Sequence, residues 1–298
     1  MEARIPVLDL HMHTTVSDGT DTPEALLAQV KNAGIGLFSV TDHDAVEGCR
    51  RILAIRTEGD PTFIPGIEFS CRDEEGQYHI LGYGYDPDAE AINAAVAEGH
   101  AFRMRKITGR LDFLKEKFGF TFRKEDVARL LSLPNPGKPH IGNLMVRYGY
   151  AKTKEEAITQ FINQAEFRDQ YVRPETAIKS ILESGGIPVL AHPPYGSGDQ
   201  LIIAEALDRR VQKLIGYGLS GVEAFYSGFT DKLRDEVLAL AERYGLYVTA
   251  GSDYHGSNKL ISLGDTGLTG AAELPAGLTA FLQAIDRKRR ESNENRRH

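Results

Sequence analysis

Seven short apolar runs recur along the chain: Val7–His11, Leu37–Thr41, Thr62–Glu68, Tyr78–Tyr85, Pro188–Ala191, Gly221–Phe225 and Tyr247–Gly251. Most are unbroken rather than alternating, the pattern of strands covered on both faces. Helical spacing lies between many of them. In the first such stretch Thr22 stands as N-cap and Pro23 at the first helical position. Ala25, Leu26, Ala28 and Val30 follow, and Asn32-Ala33-Gly34 ends it. Pro174–Ser184 and Asp231–Tyr244 are further helices, stopped by Gly185 and Gly245 before the next strand. Strand–helix alternation implies an α/β fold on a parallel sheet. Seven strands suit closure into a barrel, and the pattern alone allows an open sheet as well.

One stretch breaks the alternation. From Ala89 to Arg173 no strand pattern occurs, while Ile107, Leu111, Leu114 and Phe118, and then Ala157, Ile158, Phe161 and Ile162, recur at helical spacing. This reads as an all-helical insertion after the fourth strand. The expected organisation is barrel over residues 1–88 and 174–285, helical insertion over 89–173, and a polar basic tail over 286–298, a frayed helix end. Insertions after barrel strands are where substrate specificity tends to sit.

Charge sharpens this division. The chain of 298 residues carries 35 Lys and Arg against 42 Asp and Glu, a net −7, which argues against a long nucleic-acid duplex as partner. The average hides a contrast. Residues 95–175 hold 15 basic and 10 acidic side chains, and the remainder 20 and 32. The insertion is therefore basic above an acidic body. Cys49 and Cys71 form no metal-type pair and read as reduced thiols. The start, MEARIPVLDL, lacks a basic-then-apolar leader, and no apolar run reaches the roughly 18 residues that span a bilayer, so a cytoplasmic protein is expected.

The histidines carry the chemistry. Six of nine fall with carboxylates at strand ends: His11 and His13 in Asp9-Leu10-His11-Met12-His13, His43 in Thr41-Asp42-His43-Asp44, His79 at the start of the fourth strand, His192 in Ala191-His192-Pro193, and His255 in Gly251-Ser252-Asp253-Tyr254-His255. Alternate strand residues share a face, so His11 and His13 can hold one ion. With Asp18, Glu68 and Asp253, nine candidate ligands result. One divalent ion takes roughly four to six, so two or three ions are expected. Imidazole and carboxylate without thiolate suit Mn²⁺, Zn²⁺ or Fe²⁺, with Mg²⁺ also possible. A lone strand-end histidine is ordinarily structural, but six segments in barrel order are not easily accidental. Asp42 is divided evenly between orienting an imidazole and plain loop capping.

The segments DLHMHTTVSDG, TDHD, PGIEFS, AHP and GSDYH resemble the motifs of the polymerase and histidinol phosphatase (PHP) superfamily. The likeness covers most of the chain and is closest to the small phosphoesterases that act on nucleotides, 3′,5′-nucleotide bisphosphate phosphatases and a related 5′→3′ exoribonuclease. It implies a distorted seven-stranded barrel with a di- or trinuclear site, commonly Mn²⁺, and places His11, His13, Asp18, His43, Glu68, His79, His192, Asp253 and His255 on the ligand positions. The expected reaction is hydrolysis of a phosphomonoester of a small nucleotide, AMP or a 3′,5′-bisphosphonucleotide, by a metal-ionised water. Asp18, His43, His192 and Asp253 are the candidate catalytic groups, and the choice of proton donor stays open between Asp18 and a strand-end histidine. Asp18 and His43 would also touch substrate.

The insertion would supply phosphate contacts. Arg103, Lys106 and Arg110 share a helical face, with Arg105 beside them, and an arginine fork can bond two phosphate oxygens at once. Gly137-Lys138-Pro139-His140 resembles a family basic-x-His signature, usually with Arg at the Lys138 position. One departure is His100, where relatives usually carry Arg; it is expected in the phosphate pocket with His140, Arg103 and Lys138, its charge present in mild acid. Phe102, Phe113, Phe118, Phe120 and Phe122 read as helix core rather than a base-stacking ladder. Rival readings are an exoribonuclease on short 5′-phosphorylated RNA, a histidinol-phosphate-type phosphatase, an amidohydrolase (which would carry a metal-bridging lysine absent here), and a non-enzymatic module, which a complete ligand set disfavours. Oligomeric state is not legible.

Overall fold

In the computed structural model, residues 7–133, 135–167, 170–196, 201–268 and 273–295 are described. The strands are β1 (Leu8–Asp9), β2 (Leu37–Val40), β3 (Thr62–Asp73), β4 (Gly76–Tyr83), β5 (Ile187–Leu190), β6 (Gly221–Tyr226) and β7 (Tyr247–Gly251). They neighbour one another in chain order. Beyond its short ladder, the chain of β1 turns to β7: Leu10 N–H donates to Ala250 O at 3.0 Å, and His13 N–H to Tyr254 O at 2.8 Å. The result is a nearly closed seven-stranded α/β barrel.

The sheet is not wholly parallel. β1, β2 and β3 run parallel, as do β5, β6 and β7, but β4 is antiparallel to both its neighbours. The cause is local. Only Glu74 and Glu75 separate β3 from β4, too few for a crossover helix, and Gly76 adopts φ 130°, a conformation other residues rarely take. The consequence reaches the site. The start of β4, not its end, lies beside the carboxyl ends of the other strands, which explains why His79 precedes its strand's apolar run while the other histidines follow theirs.

The helices are α1 (Pro23–Asn32), α2 (Glu47–Ile55), α3 (Glu90–Phe118), α4 (Lys124–Leu131), α5 (Lys138–Arg147), α6 (Lys154–Glu156, running on into a wide π-type turn over Ala157–Phe161), α7 (Pro174–Glu183), α8 (Ala204–Tyr217), α9 (Asp231–Tyr244) and α10 (Ala276–Asn295). Thr22 caps α1 by accepting from Ala25 N–H at 3.2 Å. Helix α3 is a 29-residue rod joining two cores. Its first turns bury Ile92 and Ala95 in the barrel core, and its later turns bury Ile107 and Leu114 in the core of the helical layer. Phe118, Phe120 and Phe122 pack into that second core, with the Phe120 and Tyr150 rings stacked at 4.3 Å. They are not a base-stacking ladder. A third core, with Leu26, Phe38, Cys49 and Ile52, lies beneath α1 and α2.

Helix α10 closes the far end of the barrel. Leu278 and Phe281 are fully buried, and the Phe281 ring meets Tyr83 at 5.4 Å and Tyr247 at 6.2 Å. Tyr83 ends the antiparallel β4 and Tyr247 begins β7, so both mark the end opposite the histidines. The polar stretch from Asp286 continues this helix to Asn295, and His298 lies outside the described residues. Both cysteines are free and buried, and burial pushes the Cys49 thiol up to about 12. Among the described residues no helix is long and apolar enough to cross a membrane.

Replacing Phe281 by Ala opens a cavity at a sealed barrel end. The expected cost is about 3–5 kcal/mol, read by urea unfolding. A cost below about 1 kcal/mol would show that α10 does not close the barrel.

Candidate metal centre

Six strands end, and β4 begins, at one end of the barrel, and the residues there converge. The centre is Glu68 on β3. Its Oε2 lies 3.3 Å from His11 Nε2, 3.2 Å from His13 Nε2 and 3.2 Å from His43 Nδ1. Its Oε1 lies 3.0 Å from His79 Nδ1 and 3.4 Å from His192 Nε2. Asp253 closes one side, its Oδ1 at 3.3 Å from His13 Nε2 and 3.6 Å from His11 Nε2. Asp18 closes another, its Oδ1 at 3.2 Å from His255 Nε2 and 3.8 Å from His13 Nδ1. All nine sequence candidates are therefore brought together.

The residues fit divalent ions. Three groups offer donor atoms within 4.8 Å of one another: His13, Asp18, His43 and His255; His11, His13 and Asp253; and His43, Glu68 and His79. Both Glu68 oxygens, His11 Nε2, His13 Nε2, Asp18 Oδ1, His79 Nδ1 and His192 Nδ1 are buried and make no hydrogen bond. So many orphaned polar atoms, most of them gathered about Glu68, would be costly without a ligand to share. Burial alone would raise Glu68, but the imidazoles of His43, His11 and His79 outweigh it and hold the carboxyl well below its usual range. Asp253 is treated alike by Lys259 and His11. Burial draws His43 down to about 3, whereas at His13 the neighbouring carboxylates overcome burial and lift it to about 9. Three ordinary residues here adopt positive φ: Asp44 at 49°, His192 at 26° and Asp253 at 59°. Such strain, about 1–3 kcal/mol per residue, persists where surroundings over-determine it, and functional sites are where it gathers.

A supporting layer orients these groups, and its chief member escaped the sequence reading. Glu223 on β6 is fully buried. Its Oε1 lies 2.9 Å from His11 Nδ1, and its Oε2 accepts from His192 N–H at 2.9 Å. A carboxylate on the far nitrogen fixes which imidazole nitrogen faces the ion. The available signal was an acid in the apolar run Gly-Val-Glu-Ala-Phe, a place where a charge is rarely buried without a partner. Gly251 makes room for this pair, since a Cβ there would collide with His11 and the Glu223 carboxylate. Asp253 Oδ2 accepts from Tyr226 at 3.0 Å and from Lys259 at 2.5 Å, two further residues the strand-end pattern did not reveal. Asp42 clasps the loop, accepting from Thr14 N–H at 2.8 Å, Thr14 Oγ1 at 2.8 Å and Ser17 Oγ at 2.7 Å, and the Ser17 hydroxyl in turn lies 3.4 Å from His13 Nδ1.

The basic residues divide. Arg103 reaches the centre, with Nη2 at 2.5 Å from Asp44 Oδ2 and 3.4 Å from Ser70 Oγ. His140 is half-buried at the start of α5, where Nδ1 accepts from Gly137 N–H at 3.0 Å, leaving the ring proton on Nε2; burial pushes its pKa down. Lys138 donates to Asn163 Oδ1 at 2.7 Å. Lys106 is buried, its ammonium 3.4 Å above the Tyr171 ring. Burial, then repulsion from Arg103, draws it down to about 7. His100 and Arg105 differ from expectation. Both are exposed, because α3 turns their positions to solvent, and Arg105 donates to Ala101 O of its own helix.

Comparison with known proteins agrees with this geometry. The PHP domain family matches residues 9–216. A phosphoribosyl 1,2-cyclic phosphate 1,2-diphosphodiesterase of Eggerthella lenta is 30% identical, over 83% of this chain and 94% of its own. A 5′-3′ exoribonuclease of Salmonella typhimurium is 30% identical, over 93% of both. A 3′,5′-nucleoside bisphosphate phosphatase of Chromobacterium violaceum is 28% identical, over 83% and 87%. The crystal structure of a putative metal-dependent phosphoesterase from Bifidobacterium adolescentis superposes with TM-score 0.76 at 26% identity, over 93% of this chain and 96% of that one. The chain belongs to the PHP domain family and is a metal-dependent hydrolase of phosphate esters.

Two outcomes follow from the site. Glu223→Gln should weaken Mn²⁺ affinity about 10–100-fold in a calorimetric titration; unchanged affinity would remove Glu223 from the support of the centre. Lys106→Met should stabilise the fold in a pH-dependent way. Its folded-state pKa is depressed below the unfolded value, so the wild type carries its full penalty below about pH 7 and sheds it as pH rises toward about 10. The groups acting on Lys106 are Asp44, Arg103, Arg110, Lys138 and Tyr171. The gain from Lys106→Met should therefore be largest in acid and shrink through that window; a gain independent of pH would refute a buried, depressed ammonium.

Proposed function

We propose that the chain hydrolyses a phosphomonoester of a small nucleotide, AMP or a 3′,5′-bisphosphonucleotide, at a di- or trinuclear centre. The observation that carries this reading is the Glu68 carboxylate, both oxygens without hydrogen bonds, surrounded by five imidazoles within 3.4 Å and bordered by Arg103. Nucleotide chemistry is supported by the likeness to the bisphosphate phosphatase and the exoribonuclease.

His11, His13, Asp18, His43, Glu68, His79, His192, Asp253 and His255 would hold the ions, and the oxygen- and nitrogen-rich set suits Mn²⁺ well. When bound, such ions polarise phosphoryl oxygens and lower the pKa of a coordinated water to about 7. The protein's own groups do the rest. Arg103 would hold a phosphoryl oxygen, with the Asp44 pairing fixing its fork. His140, neutral at pH 7 and protonated on Nε2, can donate to the scissile or a non-bridging oxygen. Asp18 borders the solvent side of the centre and stays ionised, so it suits orientation of the attacking water. Lys259 and Tyr226 hold one Asp253 oxygen and leave the other facing His11 and His13. Lys138 extends the basic border. His100, exposed on α3, is not assigned a phosphate. The cytoplasm is the proposed compartment, in keeping with two free thiols.

Chelation should abolish activity and Mn²⁺ should restore it. Purified protein would be assayed with AMP, 3′,5′-bisphosphoadenosine, histidinol phosphate and a 5′-phosphorylated RNA oligomer. Turnover of the two nucleotides is expected to lead. Activity that survives chelation would refute the metal reading, and a strong preference for RNA would replace the nucleotide reading with the exoribonuclease one.

A further inference from the structure

The turn that follows β7 addresses the metal centre from three positions. His255 is a candidate ligand, Asn258 Nδ2 donates to the Asp18 carbonyl oxygen at 2.7 Å, and Lys259 donates to Asp253 Oδ2 at 2.5 Å. The turn is pressed against the loop that carries Asp18. Gly256 allows the approach, since a Cβ there would collide with Thr20 Oγ1. Ser257 N–H donates to that same hydroxyl oxygen at 2.9 Å, and the Tyr254 hydroxyl donates to Asp21 Oδ2 at 2.7 Å. Asp18 itself stands on a turn and not at a strand end, so no sheet ladder fixes its backbone. Its Oδ1 lies 3.2 Å from His255 Nε2 and makes no hydrogen bond.

The other end of the Asn258 amide faces the helical layer. Its Oδ1 accepts from Lys154 Nζ at 2.6 Å. An ammonium can only donate and a carbonyl oxygen can only accept, so the two partners together fix which way this amide points. Among the described residues no carboxylate pairs with the Lys154 ammonium, and the amide oxygen of Asn258 receives its charge. A charged donor at one end of an amide polarises it and strengthens the donor at its other end. Lys154 is in turn held by its stem. Gly142 of α5 lies against it, and a Cβ there would stand 3.2 Å from Lys154 Cγ. The same α5 carries His140 in its first turn.

We infer that Asn258 is a positioning residue for Asp18, and that Lys154 acts through it. The contacts from Lys154 to Asn258 to the Asp18 backbone make the placement of one acid of the metal centre depend on the helical layer that carries Arg103 and His140. The inference rests on the reading above, in which Asp18 holds an ion and orients the attacking water. It adds two residues that act on that acid at one remove, one from the β7 turn and one from α6.

Three substitutions test it. Asn258→Asp keeps the size of the side chain and an acceptor for Lys154, but sets an oxygen against the Asp18 carbonyl. Asn258→Ala removes both hydrogen bonds, and Lys154→Met removes the ammonium while keeping most of the stem. Each variant, and Asn258→Ala combined with Lys154→Met, is compared with wild type by calorimetric titration with Mn²⁺. The Mn²⁺-loaded proteins are then assayed on AMP and 3′,5′-bisphosphoadenosine. Both Asn258 variants should lower kcat about 10–100-fold with KM within about threefold of wild type, and should weaken Mn²⁺ binding by a similar factor. Lys154→Met should act in the same direction and less strongly, and the double variant should be no worse than Asn258→Ala alone, because Lys154 works through the amide. If Asn258→Ala fails to give a cooperative thermal transition, the isosteric Asn258→Asp carries the comparison. A kcat and a Mn²⁺ affinity that both stay at wild-type values in Asn258→Asp overturn the positioning role, and losses that multiply in the double variant overturn the route through Asn258. Absence of wild-type turnover on both nucleotides overturns the proposed function instead, and the Mn²⁺ titrations then still decide whether Asn258 sets Asp18.

Discussion

Everything around the barrel mouth answers to one constraint: a fully buried carboxylate, Glu68, whose oxygens no hydrogen bond satisfies, must be surrounded by imidazole nitrogens, those of His11, His13 and His79 unsatisfied as well. Water cannot reach these atoms to compensate them, and packing alone gains nothing from polar groups turned inward. The fold accepts this cost by over-determining each partner. His11 is held by Glu223 from behind, Asp253 by Tyr226 and Lys259, Asp44 by Arg103 and Ser70 N–H. Positive φ at Asp44, His192 and Asp253 is a further sign that the surroundings set the geometry.

Helix α3 relates that centre to the helical layer. Because one continuous rod is buried in the barrel at its start and in the second core further along, the face carrying Arg103, Lys106 and Arg110 is held across the mouth. A basic surface on a loosely tethered insertion would be a general attractor for anions. Held on a rod, it becomes a row of charges at fixed distances from Glu68. The charge contrast along the chain thereby acquires a direction, from imidazole and carboxylate at the barrel mouth to the arginine and lysine face of α3.

The hairpin between β3 and β4 has the same importance at smaller scale. A two-residue connection reverses one strand, and that reversal brings His79 to the side of Glu68 where a parallel fourth strand would have carried it to the other end.

Local pattern made much of this readable. Seven apolar runs, most of them unbroken, announced seven strands, because strands covered on both faces have no polar side to show. The alternation in His-x-His and Asp-x-His announced shared faces, because a strand's side chains repeat every two residues. What lay beyond reach were relations that folding sets up and local pattern does not show. Glu223 stands 212 residues from His11, Lys259 owes its role to a loop that folds back on Asp253, and helical spacing could not tell that His100 turns to solvent while Arg103, three residues on, turns inward. The sequence by itself determined which side chains could bind ions and phosphate. Only the tertiary structure decided which of them face one another, because burial and the approach of distant strand ends are set by packing between segments and not by any one of them.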